Sequence, residues 1–513
     1  MDQCVPKTGT AVAACHSPAQ LAAKHGWVQQ ASVVRYAASG ATGSGETADA
    51  PGDLAALVAA AGTDNTAIVL AAGTYALNDT LMLGLRGPVS LIGACASETI
   101  LSNASATVLA AQGGSVSLYG LGIRGPVSDN PQSLLPALAM QGLTNLSVMQ
   151  STIDAQGGHG INSQNVGAEG SVVLSGLTFG AVRNSAIAAS DAVGSWTVEG
   201  NLMRGPIGEH GVLASQGSAQ FTLGANTFET ITKNAMHATG VLGSWTVEGN
   251  LMRGPVSGDG ISIAGSGAQS TITVSTNTFE SIVGNGLSAQ ESLGSWTVEG
   301  NLMRGPIGDA AMHFHNQGGS VAMTNNEFAN SANGVIVNGG SGAWTVTGNT
   351  MQGTPDSGPV IGFGFANLSS EASVAFNNNT LAAIGGVALG FHNSLSETLI
   401  DNNTISDTWS NQGGGWRPLA SVGLGVVFHA SSRLRMTNST LRNNAYGGVL
   451  IDLRDWDAQA NGAATITLTD NPMSGHGEGD DARDVVLQDV PQDNAQATVV
   501  VTNSGSQTAN ADD

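Results

Sequence analysis

One thirteen-residue string, Gly-Ser-Trp-Thr-Val-Glu-Gly-Asn-Leu-Met-Arg-Gly-Pro, occurs unchanged at Gly194, Gly243 and Gly294, and a drifted copy begins at Gly342. Tryptophans 196, 245, 296 and 344 fall at the same place in each copy, 49, 51 and 48 residues apart. A shorter related motif lies between the copies: Asn226-Thr227-Phe228, Asn277-Thr278-Phe279 and Asn326-Glu327-Phe328. Counted through both motifs, asparagines 201, 226, 250, 277, 301, 326 and 349 are 25, 24, 27, 24, 25 and 23 residues apart. The structural unit is therefore about half of the long period. Weaker copies continue at Asn379-Thr380-Leu381 and Asn403-Thr404-Ile405, and precede at Ser151-Thr152-Ile153 and Leu177-Thr178-Phe179.

Self-similarity at a fixed period of this size is the mark of a solenoid, because one unit cannot bury its own apolar face and stacked units can. Within each unit apolar residues alternate, as in Trp196/Val198, Ile272/Val274 and Val374/Phe376, which is the period of a strand with one buried side. A second strand follows a Gly-containing turn, as in Gly260-Ile261-Ser262-Ile263 and Gly334-Val335-Ile336-Val337. The recurring Asn suits a turn between strands, since Asn tolerates left-handed dihedrals and can hydrogen-bond its equivalents above and below. These features predict an all-β, right-handed, single-stranded parallel β-helix of coils about 24 residues long, with an asparagine ladder. The segment 1–64 reads as an N-terminal segment and cap, 65–503 as the β-helix and 504–513 as a disordered tail. In the cap, Asp53 before Leu54-Ala55-Ala56-Leu57-Val58 reads as an N-capped helix covering the first coil, and Ile68 to Tyr75 as the first strand pair.

Composition bounds the partners. Charged residues are only 11% of the 513, and the formal net charge is −22, from 38 acids against 16 bases. Only Lys7, Lys24 and Lys233 are lysines. Such a chain lacks the basic footprint that nucleic acid requires, and it repels anionic surfaces and bare polyuronates unless divalent cations bridge them. No apolar run reaches the ~18 residues of a membrane span. The opening Met1-Asp2-Gln3-Cys4 has no signal-peptide pattern, so the chain is either cytosolic or trimmed of a signal. Cys4 and Cys15 can close a small loop, which points to an oxidising compartment and hence to a secreted or cell-surface protein. Cys95, in an apolar run, reads as a buried, inert thiol.

The Ala72-Gly73-Thr74-Tyr75 opening strand, followed by coils of Asn-x-apolar type, resembles the pectin-lyase-like superfamily of right-handed parallel β-helices over roughly residues 65–503. That superfamily includes lyases, hydrolases, epimerases, adhesins and phage tailspikes, so the resemblance implies fold more than function. Its polygalacturonase-like members carry Asn-Thr-Asp, Asp-Asp, Gly-His-Gly and Arg-Ile-Lys on successive coils. Here Gly158-His159-Gly160 matches the third element, but only Asp129 and Asp154 precede it, in no matching motif, and no Arg-Ile-Lys follows. A turn histidine is the better reading of His159.

Arg124, Arg204, Arg253, Arg304 and Arg442 share one register, with Glu199, Glu248 and Glu299 equally regular nearby. Repetition favours solvated charge rows over a catalytic base or a polymer-binding stripe. The tryptophans align with Phe221, Ile272, Val321 and Val374 and read as core rather than as a sugar-stacking row. Irregular residues remain. His237 and His313 occupy the outward position set by Ser262 and Ser288, with His315 two residues beyond and Asp259 and Asp309 close in sequence; histidines there suit acid–base or metal chemistry. Asp452, Arg454, Asp455 and Asp457 break the repeat near the C-terminal end, where they form either a calcium or sugar site or an ordinary charged strand and turn. The preferred expectation is a secreted or surface β-helix protein with a structural or binding role toward carbohydrate. The alternatives are a polysaccharide lyase or glycoside hydrolase, with His237, His313, His315 or Arg454 as catalytic candidates, and an adhesin or tailspike-like protein.

Overall fold

The computed structural model describes residues 15–128, 134–142, 145–164, 170–353, 360–409, 424–431, 433–453, 461, 463–476, 484–488, 490, 497–504 and 507–509. The chain divides into two compact units, Met1–Arg183 and Asn184–Asp513. Each is built of right-handed parallel β-helix coils.

In the first unit the N-terminal segment folds as α1 (Pro18–Lys24), α2 (Gly26–Gln29), β1 (Val33–Ala37) and α3 (Leu54–Ala60), followed by β2 (Thr66–Leu70) and β3 (Gly73–Ala76). Asp53 caps α3 as expected, its Oδ1 accepting from the Ala56 N–H at 2.9 Å. Three features depart from the sequence reading. The first sheet strand is β1, not Ile68–Leu70: it pairs in parallel with β2, Val33 to Thr66 through Ala37 to Leu70. Its side chains are mostly half-buried, so it lacks the clean alternation that marks later strands. The outward face of the sheet is also covered, because Leu21 and Val28 of α1 and α2 pack on Ala67, Val69 and Ile92, with Trp27 and Tyr119 at the rim. This explains why β2 and Val89–Gly93 are buried on both sides.

The third departure is the disulfide. Cys15 bonds Cys95, across 80 residues of sequence, with the Cα atoms 5.4 Å apart. Cys95 is therefore not an inert thiol, and Cys15 is not paired with Cys4, which lies outside the described residues. Packing of α1 on the sheet brings position 15 to the turn after Gly93, a contact that no local spacing announces.

In the second unit a coil typically contributes three strands. One coil shows the rule: Trp245–Glu248, then Leu251–Met252, then Ile261–Ala264. Trp245, Val247, Met252, Val256, Ile261 and Ile263 all point inward and are buried. Adjacent coils pair in parallel and in register, so Trp196, Phe221, Trp245, Ile272, Trp296, Val321, Trp344 and Val374 form one inward column, as the alignment of the repeats predicts. The four tryptophans are 1–2% exposed. Trp196, Phe221 and Trp245 stack with centroids 5.3 and 4.5 Å apart. Ile207, Ile231, Val256, Ile282 and Ile307 close the third corner as a second column.

The asparagine ladder forms. Asn226, Asn250, Asn277, Asn301, Asn326, Asn349 and Asn379 each accept, at Oδ1, the N–H and the Nδ2 of the preceding rung at 2.9–3.1 Å. Each rung's own Nδ2 also donates to a first-strand carbonyl one coil back, as Asn277 does to Val247 at 2.8 Å. The left-handed residue, however, is the one before the ladder position: Gly200, Ala225, Gly249, Thr276, Gly300 and Asn325 have φ between 50° and 63°. The Gly-Asn of the repeat thus divides two tasks, backbone reversal by Gly and buried hydrogen bonding by Asn. Ser439 and Ser504 replace Asn in later rungs, so Ser504 is a buried end of the ladder and not the start of a disordered tail; a short strand, Gln507–Ala509, follows it.

Candidate functional site

Third strands place the histidines. The register His237–Ser262–Ser288–His313 is as the sequence indicates; the two histidines are half-buried, and Ser262 and Ser288 between them are buried. His237 and His313 are nevertheless three coils apart, about 14 Å at ~4.8 Å per step, and do not meet. His315 shares the strand Ile307–Gln317 with His313 and faces the same way two residues on.

The column containing His315 leads to a cluster that the sequence reading missed. Through successive registers it runs Gln290, His315, Asn338, Ala366, His392, His429 and Asp452. His392 and His429 stack with centroids 4.6 Å apart at 17°. His429 Nε2 lies 3.8 Å from Asp452 Oδ2, and these two residues are 6% and 1% exposed. Asp452, a candidate from the sequence, thus lies against His429. Arg454, Asp455 and Asp457 lie outside the described residues.

A second polar ladder crosses the turn before the third strand, at His210, Asn234, Asp259 and Asn285. His210 Nδ1 accepts the Asn234 N–H at 3.3 Å, Asn234 Oδ1 accepts that of Asp259 at 2.9 Å, Asp259 Oδ1 that of Asn285 at 2.8 Å, and Asn285 Oδ1 that of Ala310 at 3.2 Å. Asn234 Nδ2 is also 3.2 Å from His237 Nδ1, and His237 stacks on His210 at 4.8 Å. Burial pushes the His210 imidazole down to about 4, helped by repulsion from His237 and Lys233. Burial also lowers His237, against the pull of Asp259, and His313, against the pull of Asp309. These rings are neutral at pH 7, which suits hydrogen bonding to uncharged partners better than binding of anions.

The remaining candidates are structural. His159 sits in a turn, half-buried, its carbonyl accepting from the Ala137 N–H at 3.0 Å. The Gly-His-Gly tripeptide also occurs in the sequence at 475–477, and its His476 is buried, with Nδ1 accepting the Asn444 N–H at 3.2 Å. Arg204, Arg253 and Arg304 are exposed and ion-paired. Glu229 bridges Arg204 and Arg253, and Arg304 meets Glu280 at 2.8 Å, so the pairs join adjacent coils and leave out Glu199, Glu248 and Glu299. Among the described residues, the histidines and acids of the second unit do not bring three potential ligand atoms together; the one such trio is Cys15, Cys95 and Glu98 in the first unit.

Residues 259–417 and 313–508 match the family described as the right handed beta helix region. No curated protein matches the chain. Similar solved structures include the mannuronan C-5 epimerase AlgE4 A-module of Azotobacter vinelandii, at 11% identity over 85% of this chain and 91% of that one, TM-score 0.25. The catalytic unit of the GH87 α-1,3-glucanase of Streptomyces thermodiastaticus strain HF3-3 is similar at 12% identity over 89% and 66%, TM-score 0.32. Pectate lyase Pel9A is similar at 12% identity over 73% and 80%, TM-score 0.27.

Proposed function

We propose, on the premise that this chain is a right-handed parallel β-helix protein, that it is a secreted or surface-attached scaffold that binds neutral glycan without cleaving it. The supporting observation is the outward third-strand column, in which Ser190, Ser215, Thr239, Gln290, His315 and Asn338 stand in register on the second unit, interrupted only by Ala264. Hydroxyl, amide and imidazole groups repeating at about 4.8 Å suit the hydroxyls of a polymer laid along the coils. A net charge of −22 disfavours polyuronates, for which calcium would have to act as a bridge. Calorimetric titration with neutral oligosaccharides and with polyuronates, with and without calcium, tests the reading. Binding of neutral glycan that is lost in a Gln290→Ala, His315→Ala, Asn338→Ala variant supports it; preference for polyuronate, or indifference to those substitutions, overturns it.

A second reading is a polysaccharide hydrolase or lyase, favoured by the His429–Asp452 pair, since a carboxylate beside an imidazole can hold and move a proton. Release of reducing ends or unsaturated products from any of the same glycans, abolished by Asp452→Asn, would establish it in place of the first.

A further inference from the structure

We infer that Cys15, Cys95 and Glu98 form a metal site that replaces the disulfide when the pair is reduced, a dithiolate–carboxylate site for a thiophilic divalent cation of the zinc type. One ligand atom from each of the three residues lies within 4.8 Å of the others. Zinc takes two sulfurs at about 2.3 Å and a carboxylate oxygen at about 2.0–2.2 Å, with tetrahedral ligand-to-ligand edges of roughly 3.3–3.8 Å. The two sulfurs are bonded in the oxidised protein, and after reduction rotation of the two side chains, whose Cα atoms are 5.4 Å apart, lets them separate to such an edge beside Glu98. The ligands are also held in place. Cys95-Ala96-Ser97-Glu98 is a hydrogen-bonded turn in which the Glu98 and Thr99 N–H groups donate to the Cys95 carbonyl at 3.2 and 2.8 Å, and Glu98's own carbonyl accepts from Gly73 N–H at 2.7 Å. Ser97 Oγ lies 3.3 Å from Cys95 Sγ, where its hydroxyl can donate to a thiolate. Glu98 is exposed and both cysteines are partly so, which leaves the fourth position open to water.

The two states exclude each other. A dithiol supplies two electrons and two protons and is itself oxidised to a disulfide, or a phosphine supplies the two electrons and becomes its oxide while water gives the oxygen and the two protons. The S–S bond breaks and two thiols form, and the cation then displaces the two thiol protons to solvent as it binds. Either state fastens position 15, and through it α1 and α2, to the turn after Gly93. The cap that Leu21 and Val28 build on Ala67, Val69 and Ile92 therefore stays docked in reducing and in oxidising surroundings.

The experiment uses the full chain carrying Cys4→Ser, which removes the third thiol. Protein reduced by a phosphine, then freed of it under anaerobic conditions, is titrated with cobalt(II) and afterwards with zinc. One equivalent of cobalt should give a near-ultraviolet thiolate charge-transfer band, which zinc abolishes; the oxidised protein should give none. Glu98→Gln, an exposed change that leaves the disulfide able to form and so reports on folding, should weaken cobalt binding by about tenfold or more. Cys95→Ser should remove the band. Absence of a charge-transfer band in the reduced protein, or unchanged affinity in Glu98→Gln, overturns the inference.

Discussion

Asn277 is the rung on which the stacking energetics can be measured most directly. Its Oδ1 accepts Asn250 N–H at 3.0 Å and Asn250 Nδ2 at 2.9 Å, while its Nδ2 donates to Val247 O at 2.8 Å and Asn301 Oδ1 at 3.0 Å. Asn277→Ala leaves one group without a partner in a buried turn, the Asn250 N–H, while the Val247 carbonyl, on a strand paired in register with Thr271–Ser275, loses only an additional donor. Asn250 Nδ2 keeps Leu223 O at 2.8 Å, and Asn301 Oδ1 keeps the Asn277 N–H at 3.0 Å. At roughly 1–3 kcal/mol for one buried unsatisfied group, the loss is about 1–3 kcal/mol. Asn277→Ser should recover part of it, because Ser439 already serves as a rung, its Oγ accepting Asn403 N–H at 3.2 Å. Hydrogen exchange is the assay of choice, since a long solenoid need not unfold in one step. Protection should fall in the strands Trp245–Glu248, Thr271–Ser275 and Ser295–Glu299, more in the Ala variant than in the Ser variant. Loss of less than about 1 kcal/mol of protection in Asn277→Ala, or a Ser variant worse than the Ala variant, would refute the account of the ladder as the structure's buried polar spine.

Other consequences are open to measurement. His210 has a pKa near 4 when folded against 6.5 as its ordinary value, so the unfolded chain binds the proton first and stability should fall as pH drops from 6.5 towards 4; His210→Gln should flatten that fall in thermal melts, and an unchanged slope would count against a buried neutral ring. Reducing the Cys15–Cys95 bond in the presence of a chelator should lower the stability of the first unit by about 4–5 kcal/mol, the loop entropy of an 80-residue closure, with proteolytic cutting near α1 as the readout. Arg304→Ala should change stability by less than about 1 kcal/mol, because its pair with Glu280 is exposed, and a larger melting shift would mean the charge rows do more than solvate the surface. Deleting residues 243–293, one whole double coil, joins Gly294 to the equivalent junction and should leave a folded, cooperative protein; aggregation of the shortened chain would contradict interchangeable coils.

What the sequence discloses and what it hides follow from one geometric fact: nearest neighbours in this fold are one strand apart in space and one coil apart in sequence. Features confined to a coil are legible locally. The alternation of Trp196 with Val198 is one, and it places the tryptophans in the core. Features made between coils need the sequence to be laid against itself at the coil offset. At that offset Glu280 meets Arg304, Glu209 meets Lys233 and His210 meets Asn234, all 24 residues apart, whereas Glu199 and Arg204 merely share a repeat. The same shift finds His392 and His429 only if the longer spacing of that coil is allowed for, because its insertion spoils a fixed period. Asp452 stands out in the sequence by breaking the repeat, but its surroundings depend on His429 in the adjacent coil. The Cys15–Cys95 bond belongs to neither class. It links the cap to the coil stack, and no periodicity relates a cap to the coils it covers, so only packing of α1 on the sheet could disclose it.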